Sequence, residues 1–294
     1  MSDATHGTST KGIVAYLVLT FGLAWGSWAL LLPASAADLR LFELCALPGA
    51  FAPAIASFVV RKWITREGFD DAGLGLHLRH WRLYLVAWLL PFVVVAFIVL
   101  GALVLGLGKP DFSMLAALAR IAPHTKIPHS LVGILAYVIP LQLLMAALIA
   151  TPLLFGEEFG WRGYLQVRLF ARWPTLAAVA TGLIWGLWHL PVILRGYEFP
   201  GDPAVVTVVF CTGAVLLSIV FGWLRRRSGS VWVTSLAHSA TNAIGGSLTL
   251  LLFPDRTNQL FLGYIGILSW IPLGLFCLWI ITRGSGAGAA GHQT

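Results

Sequence analysis

Charged residues are scarce in this chain, and acidic residues are scarcer than basic ones. Only 11% of its 294 residues are charged, 58% are hydrophobic, and the mean hydropathy is +0.85. A soluble core does not need so much apolar surface, whereas a bundle of membrane-spanning helices does. The composition therefore predicts an all-α, polytopic transmembrane helix bundle.

Cysteines are also few, and they show no paired spacing. Cys45, Cys211 and Cys277 all lie inside apolar segments. The sequence therefore indicates neither a disulfide framework nor a cysteine-based metal site, and we interpret the three as packing residues. The net charge of +7 is explained by basic residues that flank the membrane, so nucleic acid is not predicted as a partner.

Long apolar runs divide the chain into predicted spans, because the hydrocarbon layer of a bilayer needs about 20 apolar residues per helix. Eight such runs lie near residues 12 to 33, 41 to 60, 83 to 107, 131 to 154, 174 to 194, 204 to 224, 230 to 252 and 259 to 281. The first run is too long for the core of a cleaved signal peptide, so we expect it to be retained.

The loops between these runs are too short to fold alone, so one domain accounts for the chain. Residues 12 to 283 are predicted to form a single transmembrane domain, with the motif-bearing region at 131 to 250. Residues 1 to 11 are predicted to be a cytoplasmic N-terminal segment. The Gly- and Ala-rich tail, 284 to 294, is predicted to be disordered.

Basic residues are distributed unequally between the two predicted membrane faces. With eight spans, 13 of the 19 Lys and Arg residues fall on one side. They are Lys11, Arg61, Lys62, Arg66, Arg79, Arg82, Arg162, Arg168, Arg172, Arg225, Arg226, Arg227 and Arg283. Because cytoplasmic loops are enriched in positive charge, both termini of this multi-pass protein are predicted to be cytoplasmic. The compact loops favour a bacterial plasma membrane.

Two of the five glutamates of the chain are neighbours, in the stretch GEEFGWRGYLQ at residues 156 to 166. Glu158 and Arg162 are four residues apart, which is the spacing of an ion pair within one helix. Glu157 points about 100° away and is free of Arg162, so it is suited to general-base work. The alternative is that both glutamates sit in the headgroup zone as charges at a helix N-terminus.

Polar residues also occur in two later spans, where burial in a bilayer needs a reason. His189 lies in TGLIWGLWHLPVIL, and His238 and Asn242 lie four residues apart in VWVTSLAHSATNAIGG. Taken singly, His189 is compatible with an interface or core residue, and the pair with a hydrogen bond between helices. Because polar residues of a bundle face one another, however, all of these are expected to converge on one cavity.

This order of motifs resembles the CPBP family of intramembrane proteases. The family includes the CAAX prenyl endopeptidases and bacterial relatives linked to bacteriocin self-immunity, and its pattern is EExxxR, then FxxxH, then HxxxN. Here the motifs are Glu157, Glu158 and Arg162; Trp185 to His189; and His238 to Asn242. Trp185 stands where the pattern has phenylalanine, which we interpret as a packing adjustment.

The resemblance implies an endopeptidase that uses a glutamate-activated water. Glu157 with His189 would hold and deprotonate the water, and His238 with Asn242 would stabilise the oxyanion. Glu158 and Arg162 would order the site. The implied substrate is a membrane-associated peptide or protein, of which the prenylated CAAX type is one form, and substrate access is expected from the Arg-rich face.

Two other kinds of protein fit the same residues. Two histidines and a carboxylate can hold a catalytic zinc ion, but HExxH is absent and Asn242 is a poor zinc ligand, so no cofactor is predicted. A non-catalytic immunity protein, scaffold or transporter is the other alternative, since buried ionisable residues also form proton relays. The sequence shows no pair of broken helices in corresponding halves, which would indicate an inverted-repeat transporter.

Overall fold

Helices make up the regular structure of this chain. The computed structural model describes residues 10–32, 39–117, 140–141, 145–255 and 258–284, and no β-strand occurs among them. The α-helices are α1 (Thr10–Leu31), α2 (Leu39–Ala50), α3 (Ala52–Val59), α4 (Trp81–Leu105), α5 (Thr151–Gly160), α6 (Gln166–Arg168), α7 (Pro174–Trp188), α8 (Leu190–Ile193), α9 (Pro203–Ser228), α10 (Val231–Ala240), α11 (Ser247–Leu252), α12 (Gln259–Leu262) and α13 (Trp270–Gly284). Short π-helical segments adjoin these helices at Val60–Ile64, Met145–Ala150, Trp161–Leu165 and Thr241–Gly246.

The bundle is built to lie in a membrane. Five helical stretches are long and apolar enough to cross a bilayer: Thr10–Leu31, Leu41–Ile64, Leu78–Leu105, Pro203–Ser228 and Gln259–Arg283. Large apolar side chains such as Leu30 and Val104 point away from the protein, as expected where lipid replaces water. The all-α transmembrane fold predicted from the sequence is confirmed.

The other three predicted spans are not among these five stretches. The run 174 to 194 contains the shorter apolar helix α7 followed by α8, and 230 to 252 is a helical stretch interrupted by the π-helical segment Thr241–Gly246. Much of 131 to 154 lies outside the described residues, as do the tail from 285 to 294 and most of segment 1 to 11. Eight spans are compatible with this fold, and that number stays a prediction.

Capping residues define the start of α9 and the hairpin between α9 and α10. The Asp202 side chain accepts hydrogen bonds from the backbone N–H groups of Ala204 and Val205, and so caps the start of α9. The helix ends at Gly229, whose φ of 70° is left-handed. The next residue, Ser230, caps α10 by accepting from the Trp232 N–H. The reversal between the two helices is therefore only two residues long.

Two glycines let α7 approach α9 closely. A Cβ atom at Gly182 would lie 2.6 Å from the Cα of Val215, and one at Gly186 would lie 3.0 Å from the Cα of Cys211. Only a hydrogen side chain fits at either position, as in other close helix contacts within membranes. This packing fixes the position of α7, which carries Trp185 and precedes His189.

A polar cluster joins two segments of the chain at the Arg-rich end of the bundle. Arg61 is buried and donates hydrogen bonds to Asp71, to the carbonyl of Gly68 and to the carbonyl of Gly163. Arg168 pairs with Asp71 at 3.0 Å and with Glu67 at 2.9 Å. These bonds tie the loop after α3 to the segment that follows α5.

Asp71 is expected to make stability depend on pH. Partial burial disfavours its charged form, but hydrogen bonds and charges from Arg61 and Arg168 outweigh burial and lower its pKa. A lowered carboxyl pKa stabilises the folded state above the unfolded value of about 4 and loses that effect as pH falls through the folded value. The Tm of the wild type should therefore exceed that of Asp71→Asn at neutral pH, and the difference should shrink below about pH 4.

The measurement is thermal unfolding in detergent across a pH series. Asp70→Asn is the matched control, because it removes the same charge one residue away without an ion pair in the described structure. A difference for Asp71→Asn that does not change with pH would contradict the linkage.

Candidate active site

The two neighbouring glutamates are buried inside the protein. Glu157 is 7% exposed and Glu158 is 0% exposed. Both lie in the second half of α5, six and seven residues after its start at Thr151. This position does not fit the alternative of charges at a helix N-terminus.

Glu158 and Arg162 form the ion pair that the sequence spacing predicts. Nη1 of Arg162 donates to Oε1 of Glu158 at 2.7 Å, and both side chains are completely buried. The guanidinium lies 4.9 Å from the ring centre of Trp185 and 5.0 Å from that of Phe221. Aromatic faces thus supply further favourable electrostatics to the buried cation.

His238 is held by the same carboxylate. Its Nδ1 lies 3.0 Å from Oε1 of Glu158, and because a carboxylate only accepts, Nδ1 carries the hydrogen. This bond links α10 to α5, as does a 2.8 Å hydrogen bond between the hydroxyls of Thr151 and Ser239. The imidazole is therefore fixed with Nε2 as its remaining polar atom.

His189 has a defined tautomer for a similar reason. Its Nδ1 lies 2.8 Å from the carbonyl oxygen of Trp185, which can only accept, so Nδ1 is the donor. In the neutral ring Nε2 then keeps its lone pair and can accept a proton or a hydrogen bond. The ring packs against Phe210, with 4.8 Å between ring centres.

Glu157 has a different environment from Glu158. Its Oε2 accepts a hydrogen bond from Nε1 of Trp185 at 3.0 Å, and no ion pair with Lys or Arg occurs within the described residues. A neutral donor leaves the charge of the carboxylate available for chemistry. This agrees with the prediction that Glu157 is free of Arg162.

A cavity of about 470 Å³ brings the motifs together. Glu157, His189, His238 and Asn242 all line it, whereas Glu158 and Arg162 lie behind its wall. Asn242 is exposed to the cavity from the π-helical segment Thr241–Gly246. Such segments are frequent at functional sites, because the extra residue redirects the side chains that follow. The predicted convergence of the three motifs is thus present in the structure.

A family comparison matches the part of the chain that carries these residues. The family model described as type II CAAX prenyl endopeptidase Rce1-like matches residues 137–244. This part of the chain is similar to that family of membrane proteases. The matched range contains all six predicted site residues. No curated protein shows a significant match to the chain.

The cavity lies away from the Arg-rich loops. It extends from Glu157 past Asn242 to Tyr197, in the loop after α8, and to Gln259, the first residue of α12. None of the described Lys or Arg residues lines it. Substrate access from the Arg-rich face, expected from the sequence, stays a prediction that this lining does not support.

The metal alternative is addressed by the side chains themselves. Among the described residues no group of three or more His, Cys, Asp or Glu side chains is arranged to hold a metal ion. His238 and His189 have Nδ1 bonded to Glu158 and to the Trp185 carbonyl, respectively. These bonds leave Nε2 of each ring available and do not by themselves distinguish the two mechanisms.

Two contacts of the site could not be predicted from the motifs. One is the hydrogen bond from His238 to Glu158, and the other is the indole N–H of Trp185 on Glu157. The only sequence signal for the second was the tryptophan in place of phenylalanine. The interpretation as a packing adjustment was incomplete, because the indole also adds a donor.

Loss of Arg162 is expected to affect folding. Arg162→Ala leaves Glu158 buried without its cation, which destabilises by about 3–5 kcal/mol, so the yield of monodisperse protein in size-exclusion chromatography should fall. Adding Glu158→Gln to the variant should restore part of that yield, because it removes the unpaired charge. Arg172→Ala, at an exposed position, is the control. Normal yield of an inactive Arg162→Ala protein would instead show that Arg162 acts directly in catalysis.

The position of the cavity predicts from which membrane face it is labelled. In a background with Cys45, Cys211 and Cys277 changed to serine, Ser247→Cys lies in the cavity wall and Arg172→Cys lies in an Arg-rich loop. A membrane-impermeant maleimide should modify them from opposite faces of oriented vesicles. Modification of both from the same face would show that the cavity opens toward the Arg-rich end.

Proposed function

We propose that this chain is an intramembrane glutamic endopeptidase that hydrolyses a peptide bond of a membrane-associated substrate. One observation carries the proposal: Glu157, a buried carboxylate without an ion pair to Lys or Arg in the described structure, shares a cavity with His189, whose Nε2 is not used by the bond to Trp185. A carboxylate and an imidazole that face the same space are suited to hold and deprotonate a water molecule. The family match supports the protease class.

Hydrolysis then requires attack by a water molecule and proton transfers between the water, Glu157 and the substrate. The water donates one hydrogen bond to Glu157 and one to Nε2 of His189. As its oxygen bonds to the scissile carbonyl carbon, a proton passes to Glu157 and the carbonyl oxygen becomes an oxyanion. The C–N bond then breaks as the protonated base returns the proton to the leaving amine.

His238 and Asn242 are proposed to stabilise the oxyanion. Asn242 can donate from its amide group, which is directed to the cavity side of the π-helical segment. His238 can donate from Nε2 when its ring is protonated, and the carboxylate of Glu158 at 3.0 Å supplies the counter-charge. Fixed donors of this kind in a site of low polarity are among the strongest contributions to catalysis.

Glu158 and Arg162 are proposed to hold the other site residues in position. Arg162 neutralises Glu158, and Glu158 orients His238, so neither needs to touch the substrate. Both lie outside the cavity wall, which supports a positioning role. Residues 12 to 283 are proposed to form the single protease domain in which this arrangement is held.

The substrate is proposed to be a peptide or protein held at the membrane, of which a prenylated CAAX chain is the form that the family description names. The cavity wall is mainly apolar and includes Phe42, Leu154 and Phe199. Such a wall accommodates an apolar peptide segment or a lipid-modified one. We further propose a bacterial plasma membrane location with both termini cytoplasmic.

The proposal predicts that Glu157→Gln abolishes cleavage while the protein stays folded. The substitution preserves volume and a hydrogen-bond acceptor but removes the base, and loss of a general base lowers turnover by about 10²–10⁴-fold. The measurement is cleavage of a farnesylated CAAX peptide and of an unmodified membrane peptide by detergent-purified protein. Glu67→Gln, at the Arg-rich end, is the matched control. Turnover by Glu157→Gln at the wild-type rate would remove Glu157 from the mechanism.

A chelator distinguishes the glutamate mechanism from the zinc alternative. Cleavage by the purified protein is expected to be unchanged after dialysis against a strong chelator, because no step above uses a metal. Inhibition that zinc alone restores would establish the metal mechanism. If Glu157→Gln leaves the biological effect of the protein intact in cells, the scaffold alternative is favoured.

A further inference from the structure

Trp185 contacts four residues of the candidate site. Its indole N–H bonds to Glu157, its carbonyl accepts from His189, and its ring lies 4.9 Å from the Arg162 guanidinium carbon. The His238 ring is 5.1 Å away, in an edge-to-face arrangement. The side chain is 2% exposed, so these contacts hold it from all sides.

We propose that Trp185 is a positioning residue that orients the Glu157 carboxylate through its indole N–H, and that it thereby leaves Oε1 as the oxygen that takes the proton from water. This inference rests on the function proposed above. It concerns an atom that the aromatic position of the motif does not require, since the resembling pattern has phenylalanine there and a phenyl ring has no donor.

The rigidity of the tryptophan makes the assignment specific. Helix α7 is fixed against α9 by the close contacts at Gly182 and Gly186, on either side of Trp185. The ring packs against Phe221 and His238, so the indole cannot rotate without displacing buried neighbours. The direction of its N–H is therefore set by the fold, and the carboxylate of Glu157 adjusts to it.

Because the indole N–H of Trp185 is fixed, the two oxygens of the Glu157 carboxylate have different roles. An ionised carboxylate has two oxygens that accept hydrogen bonds. With one acceptor site of Oε2 used by the indole at 3.0 Å, Oε1 is the oxygen that keeps both of its acceptor sites for the water. A carboxylate without this bond can rotate about its terminal torsion, which is broad for glutamate, and spends less time in the productive orientation.

Trp185→Phe tests the proposal, because it keeps an aromatic ring and removes the N–H. We expect kcat to fall about tenfold, the scale of one hydrogen bond to a charged group, with KM within about twofold because the N–H that is removed bonds to Glu157 and not to the substrate. The matched control is Trp188→Phe on the same helix, which removes the same ring volume. Trp188 is also buried, but its Nε1 donates no hydrogen bond within the described structure. Trp188→Phe should therefore lower kcat less than Trp185→Phe does.

A second variant separates the donor from the shape of the ring. Replacing Trp185 with 3-benzothienylalanine puts sulfur in the place of the N–H and preserves the bicyclic ring. The loss in kcat should match that of Trp185→Phe. This variant also decides the matter if Trp185→Phe fails to fold.

The result that overturns the proposal is a benzothienyl variant with the kcat of the wild type. An equal loss in Trp185→Phe and Trp188→Phe would also overturn it, since that outcome reflects packing alone. Glu157→Gln, measured in parallel, keeps the two conclusions distinguishable. If Glu157→Gln is inactive and the Trp185 variants are normal, only the role of the indole fails. If Glu157→Gln is active, the proposed function itself fails.

Discussion

The buried ion pair between Glu158 and Arg162 is the interaction on which the rest of the site depends. Two charges removed from water are expensive, and an apolar pair of the same volume is often as stable. Here the pair holds other groups, because the oxygen of Glu158 that binds Arg162 also fixes His238. The guanidinium in turn lies over the ring of Trp185. The Glu158–Arg162 pair therefore positions the His238 imidazole on α10 and the Trp185 indole on α7.

Close helix packing is the second constraint, because it holds the groups around that ion pair in fixed positions. Glycine at 182 and 186 brings α7 against α9, and at Gly160 an added Cβ would lie 2.6 Å from backbone atoms of Pro53. These contacts lie on the helices that carry the second and the first motif. Apolar helices in lipid gain little from burial against one another, so close contact and hydrogen bonds such as that between Thr151 and Ser239 hold the arrangement.

Much of this could be predicted from the sequence, because it depends on spacing along one helix or on polarity. The ion pair follows from four-residue spacing, and the convergence of His189 and His238 follows from the cost of exposing them to lipid. The partner of the His238 ring could not be predicted, since it depends on how α10 is rotated against α5. The lining of the cavity could not be predicted either, because Asn242 reaches it from a π-helical segment that shifts the helical register.

The position of the cavity bears on how hydrolysis can occur in an apolar bundle. Water is a reactant, and it must reach Glu157 past side chains that hydrogen-bond with it. The wall of the cavity changes from apolar residues such as Leu154 to Tyr197, Glu198 and Gln259 toward the end remote from the Arg-rich loops. Polar groups along one side of an otherwise apolar cavity give water a route, while the apolar side suits a lipid-held substrate. The charged pair behind the wall is only partly satisfied: Nη1 of Arg162 bonds to Glu158 and two aromatic rings flank the guanidinium, whereas Nε and Nη2 of Arg162 and Oε2 of Glu158 have no hydrogen-bond partner in the described structure. The site therefore separates two electrostatic tasks: a buried pair that sets geometry, and a carboxylate on the cavity wall that is proposed to react.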